Sequence, residues 1–311
     1  MAFLQQYASF EEKQDFFEWG NLKINTKDEF DKYWEKLLNY DRLGVYKFRG
    51  CSEAKYKLFT SAQRYWIEKE LAQQNIYYHE FVKGLIKNSK TWNNETIFKF
   101  FNINGISTNN TLAYLSYMQH YGVPTPLIDF TDNPFIGLFF ALENPRHTVS
   151  DKDIDNYASL YILDASNPYL SATRKKFENK LTLNTDGEID YEQVILFPLL
   201  LVTPDNEAYR IINNINISNQ QGLFVFNNSP LDPMELAYKV EIDAIKNSIG
   251  PEEFDLQGFK PQFASCLNIH KNLRDYVLSK LKEKGITLDY IYPDNSKLTQ
   301  SAIKKTLEEI R

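Results

Sequence analysis

A long apolar stretch, residues 112–143, constrains the fold of this chain more than any other segment. Leu112, Leu115 and Met118 recur at helical spacing in its first part, which predicts a buried helix. The stretch would be an ordinary core segment if polar side chains did not interrupt it. The interrupting residues are Gln119, His120, Thr125, Asp129, Thr131, Asp132 and Asn133.

Local residue types predict where two helices begin and end in this region. Asn110 or Thr111 suits the N-cap of the first helix, and Gly122 suits the position just after its last turn. Pro134 fits the first position of a second helix, with Asn133 as its cap. The sequence therefore predicts two helices joined by a short connecting segment.

The connecting segment, residues 125–131, is predicted to be extended, and the second helix, residues 135–142, is apolar on nearly every side. Polar groups at the junction of two buried helices must find partners, because burying them without hydrogen bonds is costly. His120 would lie at the end of the first helix. A ligand site would explain these polar residues, and so would an internal hydrogen-bond network.

Two arginines accompany the predicted core elements. Residues 45–49 alternate as a strand does, so Arg49 ends a buried strand, and Gly50 follows where another backbone can approach closely. Arg49 is either the partner of an internal carboxylate or an anion clamp, because a guanidinium binds phosphate or carboxylate through two donors. Arg64 is either a surface residue lying on aromatic neighbours or a second site residue. Asp129 is expected to be buried, where it caps the second helix or bonds Arg49.

Composition indicates the class of protein. With 311 residues, 43% of them hydrophobic, the chain is long and apolar enough for a large folded core. A net charge of −6 provides no overall attraction to nucleic acid. The two cysteines, Cys51 and Cys266, have no metal-ligand spacing and favour a reducing compartment. The N-terminus resembles no signal peptide and no run has the length of a membrane span, so we expect a cytoplasmic protein.

The order of predicted elements favours an α+β fold, with helices before most of the strands. The first forty residues are predicted to be helical, as are residues 52–101, and residues 184–187 are predicted to form a turn. Strands are predicted at residues 158–163, 194–202, 222–226, 237–242 and 266–270, and a further helix at residues 272–284.

The sequence contains none of the familiar catalytic motifs. It has no Walker loop, no GxGxxG after a strand, no GxSxG and no HExxH, and no two of its four histidines are spaced as metal ligands. A metal site built from His120, Asp129 and Asp132 is conceivable, although this spacing is unspecific. The polar residues that remain are predicted to line one cleft that binds an anion such as phosphate. They are Arg49, Gln119, His120, Thr125 and Gln221.

Three separated motifs resemble the FRG domain family. They are KFRG at residues 47–50, MQHYGVPTPLIDFTDNP at residues 118–134 and FFA at residues 139–141. Later segments, SNQQGLFVF and LKEKGITLDYIYPD, are also similar, whereas Pro126 replaces the arginine that is common in the family. The resemblance implies a helical N-terminal segment, residues 1–44, followed by an FRG-type α+β domain, residues 45–311, with its core motifs in residues 45–142.

An arginine on the first strand of an α+β domain is also similar to the layout of ADP-ribosyltransferases. That resemblance implies a mostly antiparallel sheet, which can be split, with the helical N-terminal part packed on it. It also implies an NAD-dependent transfer of ADP-ribose to a macromolecule, protein or nucleic acid, in a toxin or phage-defence setting. The residues expected to bind the cofactor are Arg49, Gly50, Arg64, Gln119, Thr125, Asp129 and Gln221, and those expected to act in catalysis are His120, Glu235 and Glu241.

Two alternatives stay open. The same cleft could belong to a non-catalytic module that binds a nucleotide or a partner. It could also belong to a metal-dependent phosphodiester hydrolase that uses His120, Asp129 and Asp132.

Overall fold

The computed structural model describes residues 4–91, 101–102, 105–107, 109–120, 122–145, 150–182, 189–203 and 215–292. Within these residues it contains eight strands, all in one sheet. They are β1 (Phe17–Glu18), β2 (Lys23–Ile24), β3 (Tyr46–Cys51), β4 (Leu127–Thr131), β5 (Tyr157–Asp164), β6 (Leu199–Val202), β7 (Gly222–Asn227) and β8 (Ala264–His270).

The helices of the described residues fall between and around these strands. They are α1 (Phe10–Gln14), α2 (Lys27–Leu43), α3 (Ser61–Glu68), α4 (Tyr78–Thr91), α5 (Thr111–His120), α6 (Pro134–Leu142), α7 (Pro168–Thr182), α8 (Tyr191–Val194), α9 (Ile215–Asn219), α10 (Met234–Ile249), α11 (Pro251–Leu256), α12 (Arg274–Glu283) and α13 (Leu288–Ile291). None of the described helices has the length and apolar character that a membrane crossing requires. The fold is α+β, as predicted.

The sheet has the strand order β1-β8-β5-β3-β4-β7-β6, with β2 also paired to β8. All pairs are antiparallel except those of β1 and β2 with β8. β3 pairs with β5 over Tyr46–Cys51, and β4 pairs with β7 over Leu127–Thr131. Between β3 and β4, however, the only paired position is Phe48 with Thr131. The open, curled sheet therefore separates into two halves at its centre.

Two apolar clusters cover the same face of the sheet, one on each half. On the first half, α2, α6 and α12 pack on β3, β5 and β8 around buried residues such as Phe48 and Leu160. On the second half, α3, α4, α5 and α8 pack on β4, β6 and β7 around Met118 and Phe224. The opposite face carries one continuous cluster under α1, α10 and α11. The gap between the first two clusters lies where β3 and β4 separate.

The predicted helix ends of the central stretch are confirmed. Asn110 accepts a hydrogen bond from the backbone of Ala113, and Gly122 has a φ of +77° just after α5. Asn133 accepts bonds from the first backbone N–H groups of α6, and Pro134 is the first residue of that helix. These ends were predictable because caps act on neighbours within one turn.

Gly50 has the close backbone approach that the sequence predicts. A Cβ atom at this position would collide with the backbone of Gly137 and Ala141 on α6. The absence of a side chain therefore lets α6 lie directly on β3, beside Arg49.

Three predictions of secondary structure are wrong. Residues 237–242 lie in α10 instead of a strand, because Met234, Ala237, Tyr238 and Ile242 form one buried helical face. The predicted strand at residues 194–202 begins only at Leu199, since α8 ends at Val194. Two short strands interrupt the helices of the first forty residues, because β8 supplies an edge on which they pair. The predicted turn at residues 184–187 lies outside the described residues.

Candidate functional site

The separation of β3 from β4 opens a cleft of about 440 Å³ on the face between the two apolar clusters. Its polar lining includes Arg49, Arg64, Gln119 and Asp129. Its aromatic lining consists of Phe48, Tyr56, Phe130, Phe140, Phe224 and Tyr292. Volume and lining are typical of a small-molecule site, in which aromatic walls surround a few convergent polar groups.

Arg49 spans the gap between the two halves of the sheet. It extends from β3, and its Nη1 donates a hydrogen bond of 2.8 Å to the backbone oxygen of Asp129 on β4. The nearest carboxylate oxygen, Oδ2 of Asp129, is 4.0 Å from Nη1, at the outer limit of an ion pair. The Nε atom is buried and has no hydrogen-bond partner in the structure. The guanidinium is therefore anchored at one nitrogen and retains donors for a ligand.

Arg64 approaches the same cleft from α3. Within the part of the chain that the structure describes, its guanidinium makes no ion pair. Partial removal of the guanidinium from water lowers the pKa of Arg64, and the positive charge of Arg49 lowers it further. Arg64 keeps contact with solvent. Its guanidinium is nevertheless close enough to that of Arg49 for the two positive charges to repel each other. Two neighbouring positive charges with little compensation form an anion site.

Gln119 is held in one orientation by hydroxyl groups behind it. Its Oε1 accepts hydrogen bonds from the hydroxyls of Thr125 and, at 3.3 Å, Ser61. The amide Nε2 is thereby turned towards the cleft, where it donates to Oδ2 of Asp129 at 2.6 Å. Gln119 therefore positions the carboxylate of Asp129, and Thr125 is a buried support of Gln119 rather than a residue of the cleft wall.

Asp129 differs from its predicted environment. Its side chain is 47% exposed, so the expectation of a buried carboxylate is wrong, and Asn133 caps the following helix. The reason is the separation of β3 and β4, because the helices of the two apolar clusters also part there and leave Asp129 open to the cleft. The predicted link between Asp129 and Arg49 exists mainly through the backbone oxygen of Asp129.

The structure does not bring three other predicted residues to the cleft. Gln221 is exposed at the turn into β7, with a φ of +47°, and its neighbour Gln220 lines the cleft instead. Glu235 is buried at the start of α10, where it accepts bonds from the hydroxyl of Tyr7 and the backbone of Leu58. Glu241 lies further along α10. Both glutamates belong to the helix that covers the opposite face of the sheet.

His120 is the last residue of α5, and its side chain is not among the parts of the chain that the structure describes. Its predicted role therefore stays a prediction. Among the described residues, no three acidic, histidine or cysteine side chains are grouped so that they could hold a metal ion. The carboxylate of Asp132 is paired with Lys47.

Sequence reasoning missed the aromatic walls of the cleft. Tyr56, Phe140 and Tyr292 come from a loop, a helix and the end of α13, so no spacing in the sequence connects them. Burial raises the pKa of Tyr292 to about 12, and the carboxylates of Glu143 and Asp129 contribute to the same shift. The excess of tyrosine and phenylalanine in the composition was the one available signal.

Comparison with known protein families covers one part of this cleft. Residues 44–150 match the family model of the FRG domain, so the chain contains an FRG domain there, as the motifs predict. Arg49, Arg64, Gln119 and Asp129 all fall inside the matched residues. No curated protein and no solved structure matches the chain.

Proposed function

We propose that this protein is an NAD-dependent ADP-ribosyltransferase whose cleft binds the dinucleotide through Arg49 and Arg64. The observation that carries the proposal is the incomplete pairing of the two guanidinium groups in one cleft. Arg49 has a buried Nε without a partner, and Arg64 has no ion pair among the described residues. A pyrophosphate would supply the negative charge and the acceptor oxygens that both groups lack.

The walls of the cleft suit the rest of a dinucleotide. Tyr56, Phe140 and Tyr292 offer aromatic surface against which a base can stack, and the volume of about 440 Å³ is in the range of ligand pockets. The hydroxyls of the buried Thr125 and the partly buried Ser61 hold Oε1 of Gln119, so its amide nitrogen faces Asp129. This arrangement provides one oriented carboxylate within the same cleft as the anion site.

In the proposed reaction, the bond between C1′ of ribose and the nicotinamide nitrogen breaks, and its electron pair leaves with nicotinamide. A nucleophilic atom of the macromolecular target forms the new bond to C1′ and releases its proton to a base, for which His120 is the candidate. The carboxylate of Asp129 opposes the positive charge that develops on the ribose, a role predicted for Glu235 or Glu241 from the sequence. Gln119 holds that carboxylate in place before the reaction begins.

The conservative substitution Arg49→Lys tests the proposal. A lysine retains the charge but not the forked donor geometry, so NAD affinity should fall by about tenfold or more. Thermal stability without ligand should stay near the wild-type value, because within the described part of the chain Arg49 makes one hydrogen bond and no close ion pair. Arg42→Lys, an exposed position in the last turn of α2, is the matched control and should bind NAD normally.

Calorimetric titration with NAD and with ADP-ribose measures the affinities, and nicotinamide release measures the reaction. Equal NAD affinity in the wild type and Arg49→Lys would contradict the proposed anion site. A large fall in melting temperature of Arg49→Lys would assign Arg49 to the architecture instead.

A second candidate function is a non-catalytic module that binds a nucleotide through the same cleft. The location of Glu235 and Glu241 on α10, away from the cleft, favours it, because the cleft then has Asp129 as its described carboxylate. This module would bind NAD or ADP-ribose without releasing nicotinamide, whatever target is added.

The toxin or phage-defence setting and the cytoplasmic location are part of the proposal. The setting rests on the resemblance to the FRG family. The location is supported by two free cysteines, Cys51 and Cys266, which fit a reducing compartment.

A further inference from the structure

A second cavity lies at the start of β3, at the opposite end of this strand from Arg49. It has a volume of about 420 Å³. Four aromatic residues line it: Trp19, Tyr40 and Tyr46 are partly exposed, and Phe263 is buried. The carboxylates of Glu18 and Asp164 also belong to the lining. We propose that this cavity binds an organic cation, an ammonium or guanidinium group, independently of the nucleotide cleft. Aromatic faces combined with carboxylates attract positive charge both through the rings and through the acids.

Trp19 occupies a position that the fold alone does not explain. It lies in the turn between β1 and β2 with a φ of +62°, and its side chain is 37% exposed. Glycine or asparagine suits this left-handed conformation, whereas a bulky residue there is a true outlier. The turn is closed by bonds from Gly20 to the Phe17 oxygen and from Leu22 to the Trp19 oxygen, both through backbone atoms. The indole is therefore not needed for the turn.

The other two rings come from separate elements that meet beside this turn. Tyr40 lies in the last part of α2 and Tyr46 begins β3, and their ring centroids are 4.5 Å apart with planes inclined at 49°. Both tyrosines line the same cavity. Together with Trp19, they give the cavity aromatic walls from three elements.

Among the described residues, no cation lies over the aromatic faces of this cavity, although Lys260 is part of its lining. Among the described residues, lysines lie over several other rings, for example Lys280 at 4.8 Å from the ring centre of Trp34 and Lys284 at 4.4 Å from that of Phe135. No described lysine or arginine lies over Trp19, Tyr40 or Tyr46. These aromatic faces are therefore open to a cation from outside.

The charges around the cavity favour the same class of ligand. Glu18 accepts a hydrogen bond of 2.9 Å from the hydroxyl of Ser265 and makes no ion pair with a described residue. Lys260 is 3.6 Å from Asp164, so the one ammonium at the cavity already has a carboxylate beside it. Burial raises the pKa of the Tyr40 hydroxyl, and Tyr46 adds to this shift. The negative charge of Glu18 is close enough to raise the pKa further. The lining contains two carboxylates, Glu18 and Asp164, and one ammonium, Lys260, so its net negative charge favours a cation over an anion.

The test uses the full chain labelled with ¹⁵N and two probes of equal shape. Choline carries the positive charge, and 3,3-dimethyl-1-butanol replaces its nitrogen with carbon. Choline should bind about tenfold more tightly than the alcohol, and it should shift the indole N–H signal of Trp19. Equal affinity of the two probes, or no shift of that signal, would overturn the proposal.

Two variants identify the groups responsible. Trp19→Gly removes the ring and suits the left-handed backbone, so it should fold normally and bind choline at least fivefold more weakly. Glu18→Gln should weaken binding about threefold. Glu252→Gln removes the same charge from an exposed position on α11 and should change nothing. Equal weakening by the two glutamate variants would show attraction by net charge alone and would contradict a built site.

A third probe distinguishes the source of the cation. A short neutral peptide containing one trimethyllysine presents the same ammonium group as choline. Binding of this peptide at least tenfold more tightly than choline identifies a protein side chain as the ligand. Equal binding of both identifies a free small-molecule cation.

Discussion

Positive side chains meet two different environments in this molecule, the sealed interior beside β5 and β8 and the cleft between β3 and β4. In the interior, Lys13 is fully buried and donates to the Ala54 oxygen, the Ser159 hydroxyl and the Asn268 side-chain oxygen at 2.7–3.0 Å. Lys271 donates to Glu53 at 2.8 Å and to the Asp155 oxygen at 2.7 Å. In the cleft, Arg49 has one hydrogen bond and Arg64 has no ion pair among the described residues.

The difference follows from the cost of removing a charge from water. A sealed cation is tolerated only when protein acceptors replace its hydration, as they do around Lys13 and Lys271. In a cleft, water stays in contact with the charge until a ligand displaces it. Because their side chains keep contact with solvent, Arg49 and Arg64 can remain incompletely paired at a smaller cost than a sealed cation, and their free donors are available to an anion.

The largest difference in stability between the two environments is expected at Lys271. Lys271→Met should lower the free energy of unfolding by about 3–5 kcal/mol, because it leaves the carboxylate of Glu53 buried without its partner. Urea denaturation monitored by circular dichroism measures the loss. Arg64→Met in the cleft is the matched change and should alter stability by less than about 1 kcal/mol. Similar losses in both variants would remove the distinction between the two environments.

The second prediction concerns a buried acid, Glu235, whose ionisation should cost stability in the sealed interior. Burial raises the pKa of Glu235 in the folded protein, although its hydrogen bonds to Tyr7 and Leu58 act in the opposite direction. The unfolded chain loses this proton near a pH of about 4.3, before the folded protein does. The stability contributed by the protonated group is therefore full below that pH and is lost as pH rises through the folded pKa.

Glu235→Gln removes this titration. The variant should gain stability relative to the wild type as pH rises above about 4.3, with a slope of at most about 1.4 kcal/mol per pH unit. Urea midpoints measured for both proteins between pH 4 and pH 8 give the difference directly. A difference that is constant across this range would contradict the raised pKa of Glu235.

The smallest effect on stability is expected for Asp129 in the cleft. Because its side chain is half exposed and does not cap α6, Asp129→Asn should change the free energy of unfolding by less than about 0.5 kcal/mol. Asn133→Ala, at the true cap, should cost about 1 kcal/mol. Release of nicotinamide, in contrast, should fall at least a hundredfold in Asp129→Asn if this carboxylate stabilises the transition state. A larger stability loss for Asp129→Asn than for Asn133→Ala would return Asp129 to an architectural role.

Much of the FRG segment could be predicted because its determinants are local. The strand before Gly50, the helix ends at Gly122 and Asn133 and the buried helix α6 all follow from residues within one or two turns. Elsewhere local patterns were misleading. The alternation at residues 237–242 resembled a strand, yet the packing of Tyr238 and Ile242 against the sheet selected a helix.

The composition of the site shows where prediction from sequence ends. The motifs placed Arg49, Gln119 and Asp129 in one segment, and the structure places them in one cleft. The carboxylates Glu235 and Glu241 could not be judged from the sequence, because their distance from Arg49 depends on which face of the sheet α10 covers. No pattern in the sequence indicates a role for Trp19 either, since its cavity forms only where α2, β1 and β3 meet.

The amino-acid sequence was sufficient to predict the α+β class, the helix ends around the central stretch and the match of residues 44–150 to the FRG domain. These properties depend on apolar periodicity and on caps, which act between residues close in the chain. The tertiary structure alone decided that β3 and β4 separate after one paired position, and hence that Asp129 faces solvent beside Arg49. The separation of two strands and the face of the sheet that a helix covers both depend on contacts between distant segments. Each segment can satisfy its local preferences in several such arrangements.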